Sequence, residues 1–336
     1  MKFKNNHDHF LFKNIAAIAC SALLVAPPAF AQTSDLAQLL PQRPVLIVVP
    51  AAAGGPNDIV ARALAPKLSE TIKQNIIVDN RASANGLTGV DYVAKATPNG
   101  TILSAGNSGT HAVNGSLYKN PPYDPVRDFA AVAPVMTGGL VLAIYAKMPL
   151  QNFKEFIIYA KAQSGKVNAA IAGATGEIAT NAIKMMTGAH LNNVPYKGGM
   201  PAVIAVSAGE SHMVLTNPSS VKPQIDAGRL RAIGVTGARR EALLPQVPTL
   251  AESGLEGYAI EMWTGIFLPV QTPPKIVQAY SKEINRITAL PEVRDRLTAL
   301  GYEVIHGTPE QFSATVKRDV ERYRKIIIES KMQQLE

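Results

Sequence analysis

The sequence predicts an α/β protein in which strands alternate with helices around parallel sheets, and three observations carry the prediction. From Pro44 onward, short β-branched runs are each followed by an amphipathic stretch, which is the mark of βαβ units. The 336 residues are 47% hydrophobic and 17% charged, enough to build substantial cores and too apolar for a disordered chain. The segments that follow the strands are rich in Gly, Asn, Ser and Thr, residues that let a backbone approach a small ligand closely. The length suggests two domains.

Taken in order, Val45 to Val49 is an apolar strand between two prolines, and Asn57 or Asp58 can cap a helix from Asp58 to Ile72. Ile76 to Asp79 and Thr101 to Ala105 are the next strands. Leu140 to Ala146 precedes a helix over Asn152 to Gln163, and Val167 to Ala172 precedes one over Glu177 to Thr187. Pro201 to Ala208 is helical, His212 to Thr216 and Arg231 to Val235 are extended, and Gly265 to Leu268 is the last strand. Helices over Pro274 to Leu290 and Pro309 to Ser330 complete the pattern. Met185, Met186 and the isoleucines at 326 to 328 fall at helical spacing and are expected in the core.

The N-terminus has a different character. Lys2, Lys4 and Lys13 precede an apolar run from Ile15 to Val25, and Ala29-Phe30-Ala31 follows, the pattern of a secretory signal peptide cleaved after Ala31. The apolar core is too short to span a bilayer, and no run of about 18 apolar residues follows it. Cys20, the only cysteine, lies inside the discarded run, so no disulfide framework is possible and the mature chain suits an oxidising periplasm. The full chain has 33 Lys plus Arg against 25 Asp plus Glu. These cations are scattered and not interleaved with aromatic residues, which excludes a nucleic-acid surface and leaves a mild bias towards anionic ligands.

In open α/β sheets ligands sit beyond the carboxyl ends of strands, where helix N-termini present free N–H groups to anions. After the first strand, Pro50-Ala51-Ala52-Ala53-Gly54-Gly55-Pro56-Asn57-Asp58 has the flexibility to hold a carboxylate, and it matches neither a dinucleotide nor a phosphate fingerprint. Gly106-Asn107-Ser108-Gly109-Thr110-His111 places a hydroxyl three residues from an imidazole but lacks the G-x-S-x-G elbow, so a polar helix start is the better reading than a hydrolase. The histidines after residue 31, His111, His190, His212 and His306, share no ligand spacing, so neither metal nor cofactor is expected. Trp263, the only tryptophan, reads equally as a packed hinge residue or a pocket wall.

These loops, in this order, resemble the substrate-binding receptors of tripartite tricarboxylate transporters, the Bug receptors. The resemblance rests on Gly54-Gly55 and Asp58 with Ile59-Val60-Ala61-Arg62, Val78-Asp79-Asn80-Arg81, Ser108-Gly109-Thr110-His111, Pro122-Tyr123-Asp124-Pro125, Val194-Pro195-Tyr196-Lys197-Gly198 and Leu243-Leu244-Pro245-Gln246-Val247-Pro248-Thr249. It implies a type II periplasmic binding protein, two α/β lobes joined by crossing hinge strands with a ligand cleft between them. On this pattern lobe 1 is 32–138 plus 263–336, lobe 2 is 139–262, and the hinge lies at Thr137-Gly138-Gly139 and Glu261 to Gly265. The implied site is Ala51, Ala52, Gly55, Asn57, Asp58, Asn107, Ser108, Thr110 and His111 from lobe 1, with Ala174, Thr175, Tyr196, Thr216, Asn217 and Trp263 facing them.

The sequence departs from the family where specificity resides. Ala51 replaces the usual aromatic residue after Pro50, which opens room for a bulkier ligand, and Thr216 replaces the Asp that meets an ammonium group in relatives. The expected ligand is therefore a di- or monocarboxylate, aromatic acids included, without an amine. The implied partners are the membrane permease subunits of a tripartite transporter, and the receptor is expected to be a monomer. A periplasmic sensor subunit for the same ligands and a Ser108/His111 hydrolase are the alternatives.

Overall fold

The computed structural model describes residues 35–336, apart from Lys197 and Leu300. The expected signal peptide, with Cys20, and Lys197 of the Tyr196-Lys197-Gly198 stretch lie outside the described residues.

Strands β1 (Val45–Val49), β2 (Ile76–Asn80), β3 (Ile102–Asn107), β4 (Phe129–Gly139), β10 (Glu261–Pro269) and β11 (Glu303–Val304) form a first sheet in the order β11-β4-β10-β3-β1-β2. A second sheet runs β7-β6-β8-β5-β9, from β5 (Val141–Tyr145), β6 (Val167–Ile171), β7 (Leu191–Pro195), β8 (Met213–Thr216) and β9 (Leu230–Val235). The helices are α1 (Asp35–Leu39), α2 (Pro56–Ile72), α3 (Leu87–Ala94), α4 (Asn114–Leu117), α5 (Phe153–Ala162) and α6 (Ala174–Thr187), followed by α7 (Gly199–Ala208), α8 (Pro218–Asp226), α9 (Pro274–Thr288), α10 (Pro291–Thr298) and α11 (Pro309–Glu329).

Each sheet is covered on both faces, as parallel strands require. α2 and α9 bury Leu64, Tyr280 and Ile284 against Ile47, Leu103 and Ile266 on one face of the first sheet. On its other face α3, α4 and α11 join a core that continues without a break into the second lobe, where Phe156, Ile178 and Leu215 belong to the same cluster. α7 and α8 close the outer face of the second sheet through Val203, Val206 and Val221. Successive helical residues are about 100° apart, so three in a row cannot share a face. Ile326 and Ile327 are accordingly buried, whereas Ile328, Met185 and Met186 are exposed, contrary to the expectation that all were core.

The two long strands missed or shortened by the sequence pattern are the ones that join the lobes. β4 contains Pro134, which lacks a ladder donor and reads as a breaker. It is tolerated beside a bulge, where the register against β10 skips Val135 between Met136 and Pro134. β10 begins at Glu261 rather than Gly265, and Glu261, Met262 and Trp263 pair with Gly139, Gly138 and Thr137. Both segments expected as hinges are thus opposite each other in one antiparallel ladder.

Leu140 is the only residue between β4 and β5, and the return path is bound to it through Thr236. Leu140 N–H donates to Thr236 Oγ1 at 2.8 Å, and Thr236 N–H donates to the Leu140 carbonyl at 2.9 Å. The Thr236 hydroxyl donates to the Ile260 carbonyl at 2.6 Å, and Ile260 N–H donates to the Thr236 carbonyl at 2.8 Å. One fully buried threonine therefore fastens the outgoing and the returning chain to each other. Thr236→Val keeps the shape and orphans the Leu140 N–H and the Ile260 carbonyl. Because each buried unpaired group costs about 1–3 kcal/mol, urea unfolding should show a loss of about 3 kcal/mol.

Candidate functional site

The carboxyl ends of β1, β2 and β3 bring three loops together around Gly86. A Cβ on Gly86 would lie 2.6 Å from the Pro50 carbonyl and 2.9 Å from Thr110 Cγ2, and its φ of 77° also calls for glycine. Asn85 beside it is left-handed at φ 49°. Its carbonyl accepts from Asn114 Nδ2 at 2.9 Å, and its amide donates to the Tyr118 hydroxyl at 3.1 Å. The Asn-Gly pair thus joins the loops that follow all three strands.

Asp58 serves the loop rather than the open space. Its carboxylate accepts from Gly54 N–H and Asn80 Nδ2, both at 2.9 Å, and from Arg62 Nε at 3.0 Å. Burial alone would raise its pKa, but the Arg62, Gly54 and Asn80 bonds outweigh it and hold the carboxyl below its ordinary value. Asn80 Nδ2 also donates to the Ala51 carbonyl at 3.3 Å, so the first loop is pinned at both ends. Ala51 is half-buried, Ala52 and Ala53 are exposed, and Gly55 precedes Pro56 at the start of α2.

After β3 the chain turns through a π-helical stretch at Gly109–Val113, a geometry frequent at functional sites. Asn107 and Thr110 cap it reciprocally: Thr110 N–H donates to Asn107 Oδ1 at 3.0 Å, and Asn107 N–H donates to Thr110 Oγ1 at 2.9 Å. Asn107 Nδ2 donates to Asn57 Oδ1 at 3.0 Å, and Asn57 Nδ2 donates to the Ala105 carbonyl at 2.7 Å. Asn57, Asn107 and Thr110 therefore form one network that fixes where Ser108 points.

His111 is turned inward. Its ring stacks on Phe267 at 3.9 Å between centroids and meets Phe129 edge-on at 4.7 Å. Nδ1 lies 2.9 Å from Thr110 Oγ1, while Nε2 has no partner among the described residues. Burial pushes its pKa down to about 3, so the imidazole is neutral at physiological pH. The Ser108 hydroxyl meets Thr175 Oγ1, at 3.5 Å, and not His111.

That contact crosses between the lobes. α6 starts at Ala174 rather than at Glu177 as the pattern suggested, so Ala174 and Thr175 form its first turn behind Gly173 at φ 84°. They abut Gly109, where a Cβ would lie 3.2 Å from Thr175 Oγ1 and 3.9 Å from Ala174 Cβ. Farther along the second sheet, Thr216 is 4% exposed and its hydroxyl has no partner among the described residues. A Cβ on Gly199, at the start of α7, would lie 2.8 Å from that hydroxyl and 3.8 Å from Ser220 Oγ. Gly199 and Ser220 were absent from the sequence-based set, although both lie in the Gly-, Asn-, Ser- and Thr-rich segments that follow strands. Asn217 stands immediately before α8.

Tyr196 and Trp263 are engaged elsewhere. The Tyr196 hydroxyl lies 3.3 Å from Ser211 Oγ and its ring packs on the outer core of the second sheet. Trp263 Nε1 donates to Asp319 of α11 at 2.8 Å and the ring stands edge-on to Phe312 at 5.2 Å.

Hydroxyls and helix starts thus face one another across two α/β lobes, and this architecture is that of the periplasmic binding proteins. The family model described as "Tripartite tricarboxylate transporter family receptor" matches residues 60–332, and the chain belongs to that family. A protein from Pseudomonas sp. strain P51, encoded in the tcbD-tcbE intergenic region, is 36% identical over 310 residues, 90% of this chain and 92% of its own. Among solved structures, Rpa4515 of R. palustris with adipate superposes with a TM-score of 0.79 at 31% identity, covering 87% of this chain and 98% of its own. The periplasmic binding protein BugD gives 0.78 at 31%, covering 88% and 100%. MatC from Rhodopseudomonas palustris with bound malate gives 0.78 at 29%, covering 86% and 100%.

A buried base whose pKa is lowered on folding stabilises the fold fully above its unfolded value of 6.5 and loses that contribution as pH falls towards 3. The unfolding free energy of the wild type should thus fall more steeply between pH 6.5 and 4 than that of His111→Phe, as read by urea titration.

Proposed function

We propose that the chain captures a small carboxylate without an amine, a dicarboxylate or a bulkier aromatic acid, between its lobes and delivers it to the membrane permease of a tripartite transporter. It would act as a monomer in the periplasm after cleavage following Ala31, with lobes 32–138 plus 263–336 and 139–262. The observation that carries this reading is the meeting of Ser108 with Thr175 between the lobes, beside helix starts that supply donors and without an acid–base pair. The adipate and malate held by two structural relatives support the ligand class.

In the first lobe the Ala52 to Gly55 loop at the start of α2, with Ser108, would hold one carboxylate. Asn57, Asp58, Asn107, Thr110 and His111 would position these donors, as their mutual bonds suggest, rather than touch the ligand. In the second lobe Thr175, Thr216 and Asn217 would meet the other end of the ligand. Three or four charge-assisted bonds of about 1.5–3 kcal/mol each can sustain micromolar binding, about 8 kcal/mol, after association entropy is subtracted. A neutral hydroxyl at Thr216 leaves a buried ammonium uncompensated, and the missing ring at Ala51 leaves space.

Calorimetry and thermal shift of the full chain against adipate, malate, benzoate, aspartate and glutamate test the reading. Adipate, malate or benzoate should bind at micromolar Kd or better, and at about 100 times Kd it should add roughly 2.7 kcal/mol of stability. Thr216→Asp should weaken that acid at least tenfold and narrow the gap to aspartate, and Ala51→Phe should weaken benzoate more than malate. Tighter binding of the amino acids by the wild type would overturn the amine-free assignment.

A further inference from the structure

The turn that follows the Thr236 bridge holds the crossing a second time. Glu241 is 7% exposed, and its carboxylate accepts the N–H of Gly139, one residue before Leu140. The surrounding space is full. A Cβ on Gly139 would lie 2.5 Å from Gly237 N and 2.9 Å from Glu241 Oε1, and one on Gly138 would lie 2.9 Å from Tyr302 Cδ1 and 3.4 Å from Glu241 Oε2.

The groups that face Glu241 do not neutralise it. Glu261, at the start of β10, accepts the Ala238 N–H at 3.1 Å. Glu303 on β11 is paired at 2.7 Å with Arg239, whose side chain is largely exposed, so this guanidinium is bound to another carboxylate. Tyr302 is buried, and its hydroxyl has no partner among the described residues. Burial is the main cause that pushes the Glu241 carboxyl up to about 7; the Gly139 bond opposes it, and the charges of Glu261 and Glu303 add to it.

These groups belong to opposite sides of a seam. Glu241 and Leu243 lie on the segment that returns from the second sheet, whereas Tyr302 and Glu303 lie at the edge of the first. A Cβ on Gly301 would lie 2.7 Å from Leu243 Cδ1 and 3.0 Å from Pro218 Cβ, so the two sides are in contact here. A motion that parts the lobes along this seam takes Glu241 away from Tyr302 and Glu303 and lets water reach it.

We propose that Glu241 is a hinge-positioning residue whose charge state selects the lobe arrangement: neutral, it fits the seam against Tyr302 and favours the juxtaposed lobes, and ionised, it favours their separation. An exposed carboxyl ionises near 4.5, so the neutral form is favoured by the buried seam. That preference is complete below pH 4.5 and is lost as pH rises through about 7. The proposal rests on the receptor reading only in its consequence, that a solute between the lobes is gripped more tightly at pH 6 than at pH 8. The lobe arrangement itself is measured without solute.

The test is a spin-label distance measurement on the full chain carrying Cys20→Ser, with labels at Ile77→Cys and Ile158→Cys, exposed positions on β2 and α5. From pH 5.5 to 8.5 the long-distance population should rise severalfold with a midpoint near 7, and Glu241→Gln should keep the short distance throughout. Glu261→Gln and Glu303→Gln retain the titrating carboxyl and remove a repelling charge, so each should move the midpoint to lower pH, which keeps the test valid if Glu241→Gln does not fold. A wild type that does not respond to pH, a response that persists in Glu241→Gln, or a midpoint that neither Glu261→Gln nor Glu303→Gln moves would overturn the proposal.

Discussion

The constraint on which the structure depends is the crossing of β4 and β10, two antiparallel strands that belong to one sheet yet lead to the other. With a single residue, Leu140, between the sheets, the lobes have little freedom except rotation about this ladder. Thr236 fixes the place of that rotation, because its four hydrogen bonds reach both chains within the space of one side chain. From there the two walls are placed: β3, which leads into Ser108, lies beside β10, and β8, which ends at Thr216, lies beside β5.

The polar groups near the cleft divide into those already committed and those left free. Asp58, Asn57, Asn107 and Thr110 spend their donors and acceptors on neighbouring loops, whereas the Thr216 hydroxyl has no partner among the described residues. This division has a physical basis. A loop that must offer backbone N–H groups to a ligand has to be held rigid by other bonds, otherwise ordering it would consume much of the binding free energy.

Much of the architecture was legible from apolar runs. β1 was read to the residue because its Val-Leu-Ile-Val-Val stretch is bounded by prolines, and α2, α5 and α11 were placed within a few residues. β4 was hidden because its alanines, Pro134 and two terminal glycines have low strand propensity and are held there by pairing with β10. β7 was hidden because Leu191–Pro195 contains two asparagines and is an edge strand. Family resemblance pointed to the loops of the candidate site, and the Ser108 and Thr175 hydroxyls lie 3.5 Å apart. Spacing could not reveal that His111 faces the core, since the π-turn that rotates it inward has no sequence signature. Glu241 was invisible for the same reason: its neighbours Gly139 and Tyr302 are distant in the chain.

The strand order also bears on how the polypeptide acquires its structure. β10 lies between β3 and β4, so the first sheet keeps a gap until residues 261–269 are available. The second sheet, from β5 to β9, needs no later strand to complete it. The inserted lobe can therefore condense as a unit while the flanking lobe waits for a contact that spans well over a hundred residues, the kind of long-range pairing that slows folding. During that interval the edges of β3 and β4 are open, and closing the gap takes the insertion of a central strand rather than the docking of a finished domain.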